Sequence, residues 1–220
     1  MEIKELILFT KNIERQKDFY ERVMNFEPCD EEDDYVCFKT GRSRLKFIRS
    51  EHSDPVHFAL IIPGDSYLPA NNWLKKRVSL LPFEGDEIID FPNWNAKSQY
   101  FYDADLNIVE FIARRDVEGS APSSFSPKAI LQIGEVGLPA DDLEALYNRL
   151  NAIKPLPRYS GDFKRFGAAG DPEGLFILAN PKHKEWFPAG DKIKNAHLMV
   201  RGDYNFEYKN QKIKQKNLHI

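Results

Sequence analysis

The sequence predicts an α+β chain of repeated βαβββ modules, two of them paired into a cupped sheet with a pocket and a third similar module on the C-terminal side. Three observations carry this expectation. A strand, a helix and three short strands follow one another over residues 3–49, and the same order restarts at Val56. A third copy begins near Lys128, where Glu135, Leu138, Leu143 and Glu144 meet Glu5, Leu8, Ile13 and Glu14 at an offset of 130.

In the first module residues 3–9 read as a strand, and Asn12 to Met24 as an amphipathic helix with Ile13, Phe19, Tyr20, Val23 and Met24 near helical spacing and Asn12 as N-cap. A weak strand near Phe26 precedes two clearer ones, Tyr35–Lys39 and Leu45–Arg49, joined by a turn at Thr40-Gly41-Arg42. The second module runs through a strand at 56–62, a helix around Leu68–Val78, and strands near 87–91, 98–103 and 108–114. A small, polar, Pro-containing stretch then reads as a linker. In the third module Leu143, Leu146, Tyr147, Leu150 and Ile153 mark the helix, and Asp171-Pro172-Glu173-Gly174 turns into the strand Leu175–Leu178. The expected division is therefore paired modules over 1–115 (1–50 and 51–115) forming the pocket, a linker at 116–127, the third module at 128–200 and a polar tail at 201–220.

Composition narrows the classes of function. The chain of 220 residues is 42% hydrophobic and 30% charged, with no apolar run near the roughly 20 residues that a membrane span needs. Its 34 acidic and 31 basic side chains are well mixed, so the basic footprint of a nucleic-acid binder is absent. Cys29 and Cys37 have no CxxC spacing, and Met1-Glu2-Ile3-Lys4-Glu5 carries charge where a leader's apolar core would begin. The expected compartment is reducing cytoplasm, with a small molecule as partner and neither nucleic acid nor membrane.

Chemistry enters through strands that carry a polar residue in an apolar run. In a strand alternate side chains share a face, so His57 lies with Ala59 and Ile61, and Glu110 with Ile108 and Ile112. If the first two modules curve around one pocket, four positions converge: Glu5, Lys46, His57 and Glu110. One imidazole with two carboxylates suits a divalent ion (Fe, Mn, Ni or Zn), three protein ligands leaving room for water or substrate. Glu5, His57 and Glu110 are thus the candidate metal ligands, and Glu5 could double as a base. A lone His on a strand is more often simply hydrogen-bonded, and a Lys46 ammonium could neutralise the acids, so a metal-free binding pocket stays open beside the metal reading. Tyr100 is a candidate catalytic acid, with Tyr102 on the same strand face and Trp94 and Asn95 on the loop beside it as candidate substrate contacts, together with Lys46.

These residues resemble the vicinal oxygen chelate superfamily, which includes glyoxalase I, extradiol ring-cleaving dioxygenases, fosfomycin-resistance enzymes and bleomycin-binding proteins. The resemblance rests on Leu6 to Tyr20, on His57-Phe58-Ala59, and on Tyr100-Phe101-Tyr102-Asp103 through Asn107-Ile108-Val109-Glu110-Phe111; it covers 1–115 well and 128–180 more weakly. Phe91-Pro92-Asn93-Trp94-Asn95-Ala96 and Lys184-Glu185-Trp186-Phe187-Pro188 look like a bacterial branch of its dioxygenase-like members. The resemblance implies a divalent-metal-dependent enzyme on a small oxygen-bearing substrate, either ring-cleaving dioxygenase-like or a glyoxalase-like lyase; the alternative is a metal-free sequestering protein of the bleomycin-resistance type. It carries the metal ligands onto Glu5, His57 and Glu110, with Glu5 where the dioxygenases have His and Lys46 where glyoxalases have a fourth ligand. Leu106 replaces a Gly usual in that turn, which commonly requires positive φ. Some relatives complete the pocket between chains, which leaves a homodimer open.

Overall fold

The computed structural model describes residues 1–121 and 124–216, so part of the expected linker (residues 122 and 123) and the last four residues of the expected tail lie outside the described residues. The first module comprises β1 (Ile3–Thr10), α1 (Ile13–Asp18) continuing as a π-turn over Phe19–Val23, β2 (Pro28–Glu32), β3 (Tyr35–Thr40) and β4 (Ser43–Arg49). Asn12 caps α1, its side-chain oxygen accepting from the Arg15 N–H at 3.0 Å. The second comprises β5 (His57–Pro63), α2 (Tyr67–Leu74), β6 (Ile89–Phe91), β7 (Ala96–Tyr102) and β8 (Ile108–Arg114). The third comprises β9 (Gln132–Pro139), α3 (Leu143–Ile153), β10 (Arg158–Gly161), β11 (Phe166–Asp171) and β12 (Gly174–Ala179).

Within each module the first and last strands pair in parallel, β1 with β4, β5 with β8 and β9 with β12, and the remaining strands follow outward. Repeated βαβββ modules are therefore present as the sequence predicts. The pairing between modules differs from expectation. β5 runs antiparallel to β9, with Phe58 opposite Val136 and Ala59 opposite Glu135, so the second module joins the third rather than the first. Every residue of β5 and β9 is buried, and the close approach depends on Gly134, where a Cβ would stand 2.3 Å from Ile61 Cγ1. A side chain at that position would force the strands apart.

The first module finds a different neighbour. After a short hairpin of β13 (Glu185–Trp186) and β14 (Asp191–Lys192), the chain forms a meander of β15 (His197–Gly202), β16 (Phe206–Lys209) and β17 (Lys212–Gln215). β15 lies antiparallel to β1, Leu6 opposite Val200. The region expected as a polar tail is thus sheet, because Tyr204, Phe206 and Tyr208 alternate along it and are all buried. β1 meets β9 only at Ile3 and Ile133. Ser43 seals that joint: its hydroxyl donates to the Ile3 carbonyl at 2.5 Å and accepts from the Ile133 N–H at 3.0 Å.

The first module still touches the second through its helix. Gln16 and Tyr20 both donate to the buried Asp103 carboxylate at 3.0 Å, and Asp103 in turn accepts from Asn107, so α1 is fastened to the turn before β8. In that turn Leu106 has φ 64° and is 58% exposed, the strained conformation its sequence position implies. A left-handed L-residue costs roughly 1–2 kcal/mol, against roughly 0.5–1 kcal/mol of extra chain entropy lost by Gly. Leu106→Gly is therefore expected to raise the melting temperature by about 1–4 °C; an unchanged or lower value in scanning calorimetry would contradict this. No helix among the described residues is long and apolar enough to cross a membrane.

Candidate metal centre

β5 lies between β8 and β9, and the registers on its two sides place both Glu110 and Glu135 beside Ala59. Paired residues share a sheet face, and His57 precedes Ala59 by two, so three adjacent strands aim an imidazole and two carboxylates at one point. The small Ala59 leaves the space between them open. His57, Glu110 and Glu135 are 6%, 3% and 3% exposed. One donor atom from each lies within 4.8 Å of the others.

The imidazole's orientation is fixed from behind. His57 Nδ1 lies 3.1 Å from the Ile108 carbonyl oxygen, which can only accept, so Nδ1 carries the proton. Nε2 then faces Glu110 Oε2 at 3.5 Å and Glu135 Oε2 at 3.8 Å. A neutral His with its second nitrogen held by a carbonyl is the usual form of an imidazole ligand. Glu135 is held as well: Arg114, the last residue of β8 and completely buried, donates to its other oxygen and to the Pro172 carbonyl at 2.7 Å.

The electrostatics reflect crowding of charge in a dry place. Burial pushes the Glu110 carboxyl up to about 7, and the Glu135 charge adds to this against the opposing pull of His57. Burial alone would lower the His57 pKa, but the Glu135 carboxylate, which would accept from a protonated imidazole, and the charges of both glutamates outweigh it and the net direction is upward. Two carboxylates and one guanidinium leave the cluster with one uncompensated negative charge when His57 is neutral. Either a proton or a divalent cation corrects this. The donor set, one neutral nitrogen and two carboxylates, fits a first-row divalent ion with open positions.

A cleft of about 300 Å³ opens over the cluster. Its walls come from the second module (Phe91, Trp94, Tyr100), the third (Phe166, Ile177) and the hairpin beyond it (Trp186). The Trp186 ring lies 5.5 Å from the His57 ring, in room left by Gly137, where a Cβ would come within 2.8 Å of the indole. Tyr100 stands opposite Glu110 in the β7–β8 register, and its hydroxyl pKa is raised well above the usual value, first by burial and then by the two glutamates.

The candidate residues from sequence divide accordingly. His57, Glu110, Tyr100 and Trp94 line the cleft. Glu5 does not: it sits on β1, outside the β5–β9 junction, and pairs with Arg201 at 3.0 Å. Lys46, on β4, rests its ammonium 3.3 Å over the Tyr35 ring and reaches neither acid of the cluster, which removes the neutralising role a metal-free pocket asked of it. Asn95 turns away to donate to Asp116 at 2.8 Å, and the Tyr102 hydroxyl donates to Asp191, tying β7 to the β13–β14 hairpin. Glu135, Arg114 and Trp186 were not among the candidates. For Glu135 the sequence signal is Gly134-Glu135-Val136-Gly137, an acid framed by glycines in a largely apolar strand, which marks close backbone approach; the sequence carries no such signal for Arg114 or Trp186.

Neither family models nor the sequences of curated proteins show a match to this chain. Solved structures do. A Bacillus subtilis protein provisionally described as a dioxygenase superposes with a TM-score of 0.59 at 18% identity, over 81% of this chain and 63% of that one. A mutant of glyoxalase I from Zea mays gives 0.51 at 14% identity, over 81% of this chain and 66% of the maize protein. This chain therefore spans just under two thirds of the length of either. At these identities the likeness is one of architecture, and the chain has the fold of the vicinal oxygen chelate superfamily.

Proposed function

We propose that the cleft between the second and third modules is a catalytic divalent-metal centre, with His57, Glu110 and Glu135 as ligands, acting on a small oxygen-bearing substrate. The observation that carries this reading is the freed Nε2 of His57, aimed between two buried carboxylates by the Nδ1 bond to Ile108. A divalent ion bound there would supply Lewis acidity to adjacent substrate oxygens, or with Fe(II) a site for dioxygen, the chemistry of glyoxalase-like and ring-cleaving enzymes respectively.

The chain's own groups support the same reading. With a divalent ion, two carboxylates and Arg114, the centre would carry one net positive charge, suited to an anionic substrate oxygen. Tyr100 keeps its proton at neutral pH and can donate a hydrogen bond in the cleft. The aromatic walls exclude water around it.

Calorimetric titration of chelator-treated protein with Mn(II), Ni(II), Zn(II) and, without oxygen, Fe(II) is expected to give one site per chain for at least one ion. No saturable binding of any of them would reject the reading. The pH dependence has a definite sign. Glu110 and His57 both hold protons more tightly than in water, so below about pH 7 a proton competes with the cation. Ion affinity is expected to fall as the pH drops below about 7, by up to about a hundredfold per pH unit where both groups are protonated, and to depend less on pH above it. A flat profile from pH 6 to 8 would contradict this.

A further inference from the structure

One charged side chain in the cleft takes no part in the metal cluster. Lys184 lines it from the segment between β12 and β13, where its backbone is fixed by a hydrogen bond from its N–H to the Asn180 carbonyl at 2.9 Å. Its ammonium stands 5.1 Å over the Phe166 ring. No carboxylate pairs with it among the described residues, although the neighbouring Lys182 is paired with Asp141. Burial and the adjacent Arg165 both lower its pKa, as expected for a cation that lacks a counter-ion in its surroundings. A half-buried ammonium beside an aromatic ring, with no carboxylate partner among the described residues, is placed to receive an anion from outside the chain.

The space between Lys184 and the cluster is flat-walled. Phe187 meets Tyr100 edge-on at 5.5 Å and Phe91 at 5.8 Å, and Trp94 stacks with Phe166 at 6.5 Å. Aromatic faces and edges reward a planar ring over a flexible aliphatic chain, and a cleft of about 300 Å³ lies at the lower end of small-molecule sites. We propose that the cleft selects single-ring aromatic acids, with the ring between these walls, the carboxylate on Lys184 and an oxygen-bearing edge toward His57, Glu110 and Glu135. This rests on the reading of the cleft as the substrate site, and it makes Lys184 the specificity-determining residue.

The test uses benzoate and 4-hydroxybenzoate, their methyl esters and cyclohexanecarboxylate as probes of the full chain, followed by quenching of tryptophan fluorescence, since Trp94 and Trp186 line the cleft. The acids are expected to bind at least tenfold more tightly than the esters and than the alicyclic acid. Lys184→Met should abolish the preference over the esters and Lys184→Arg should retain most of it, while both keep the wild-type metal stoichiometry and circular dichroism. Equal binding of acid and ester, or a preference that survives Lys184→Met, would overturn the proposal, as would no saturable quenching by any aromatic probe. A Lys184-dependent preference in protein that binds no metal would support this assignment while rejecting the metal centre, and bound metal with no acid preference would do the reverse.

Discussion

Glu135→Gln should release the bound ion, and Glu5→Gln should keep it. Both glutamates occupy the first strand of a module, yet only Glu135 stands beside Ala59, with an oxygen 3.8 Å from His57 Nε2. Losing one of three ligands should weaken binding by more than the roughly 10–100-fold typical of residues that merely orient a ligand. Glutamine preserves an oxygen for Arg114 to donate to, so the fold should survive the change. Glu110→Gln serves as a second ligand variant, because no guanidinium or ammonium among the described residues pairs with Glu110. Elemental analysis after gel filtration reads all three; retention of metal by Glu135→Gln together with its loss from Glu5→Gln would return the site to the first module.

Arg114→Met should be the most destabilising single substitution in the cleft region. The guanidinium is fully buried and bonds Glu135 and the Pro172 carbonyl, so its removal strands a buried carboxylate and an unmet carbonyl. Breaking such a pair costs about 3–5 kcal/mol, which for a chain of this size lowers the melting temperature by roughly 6–20 °C. The double variant Arg114→Met with Glu135→Gln should recover a large part of that, because no unpaired charge remains. Denaturant midpoints of the two variants measure the difference. A single variant within about 1 kcal/mol of wild type, in the range of an exposed ion pair, would show that the pair bears little of the cleft's integrity.

Much of the fold is written locally. The repeat of strand, helix and three strands shows in hydrophobic periodicity, Asn12 caps α1 as its position implies, and Leu106 adopts the positive φ that a turn before Asn107 demands. His57 and Glu110 stand out because each interrupts an apolar strand. What the sequence does not write is which first strand lies against β5. Glu5 and Glu135 correspond at the offset of the repeat, and periodicity treats them alike. The difference lies in their neighbours: β1 carries exposed Lys4 and partly exposed Glu5 and Phe9, whereas β9 is buried throughout and opens a place for Ile61 at Gly134. Leu175–Leu178 carries no acid, yet the third module contributes a ligand, because an asymmetric three-ligand site needs two donors from one module and one from the other. The position after Gly174 that matches Glu110 is filled by Ile177, which lines the cleft without offering a ligand. The meander over residues 197–215 was obscured by its many lysines, which occupy the outward face while Phe206 and Tyr208 point inward.

Anomalous diffraction from a crystal grown with Mn(II) tests the central assignment most directly. A single strong peak is expected within coordination distance of His57 Nε2 and of one oxygen each from Glu110 and Glu135, with Arg114 still bonded to Glu135. Density without a peak there, or a peak beside Glu5 and Arg201 instead, would contradict it.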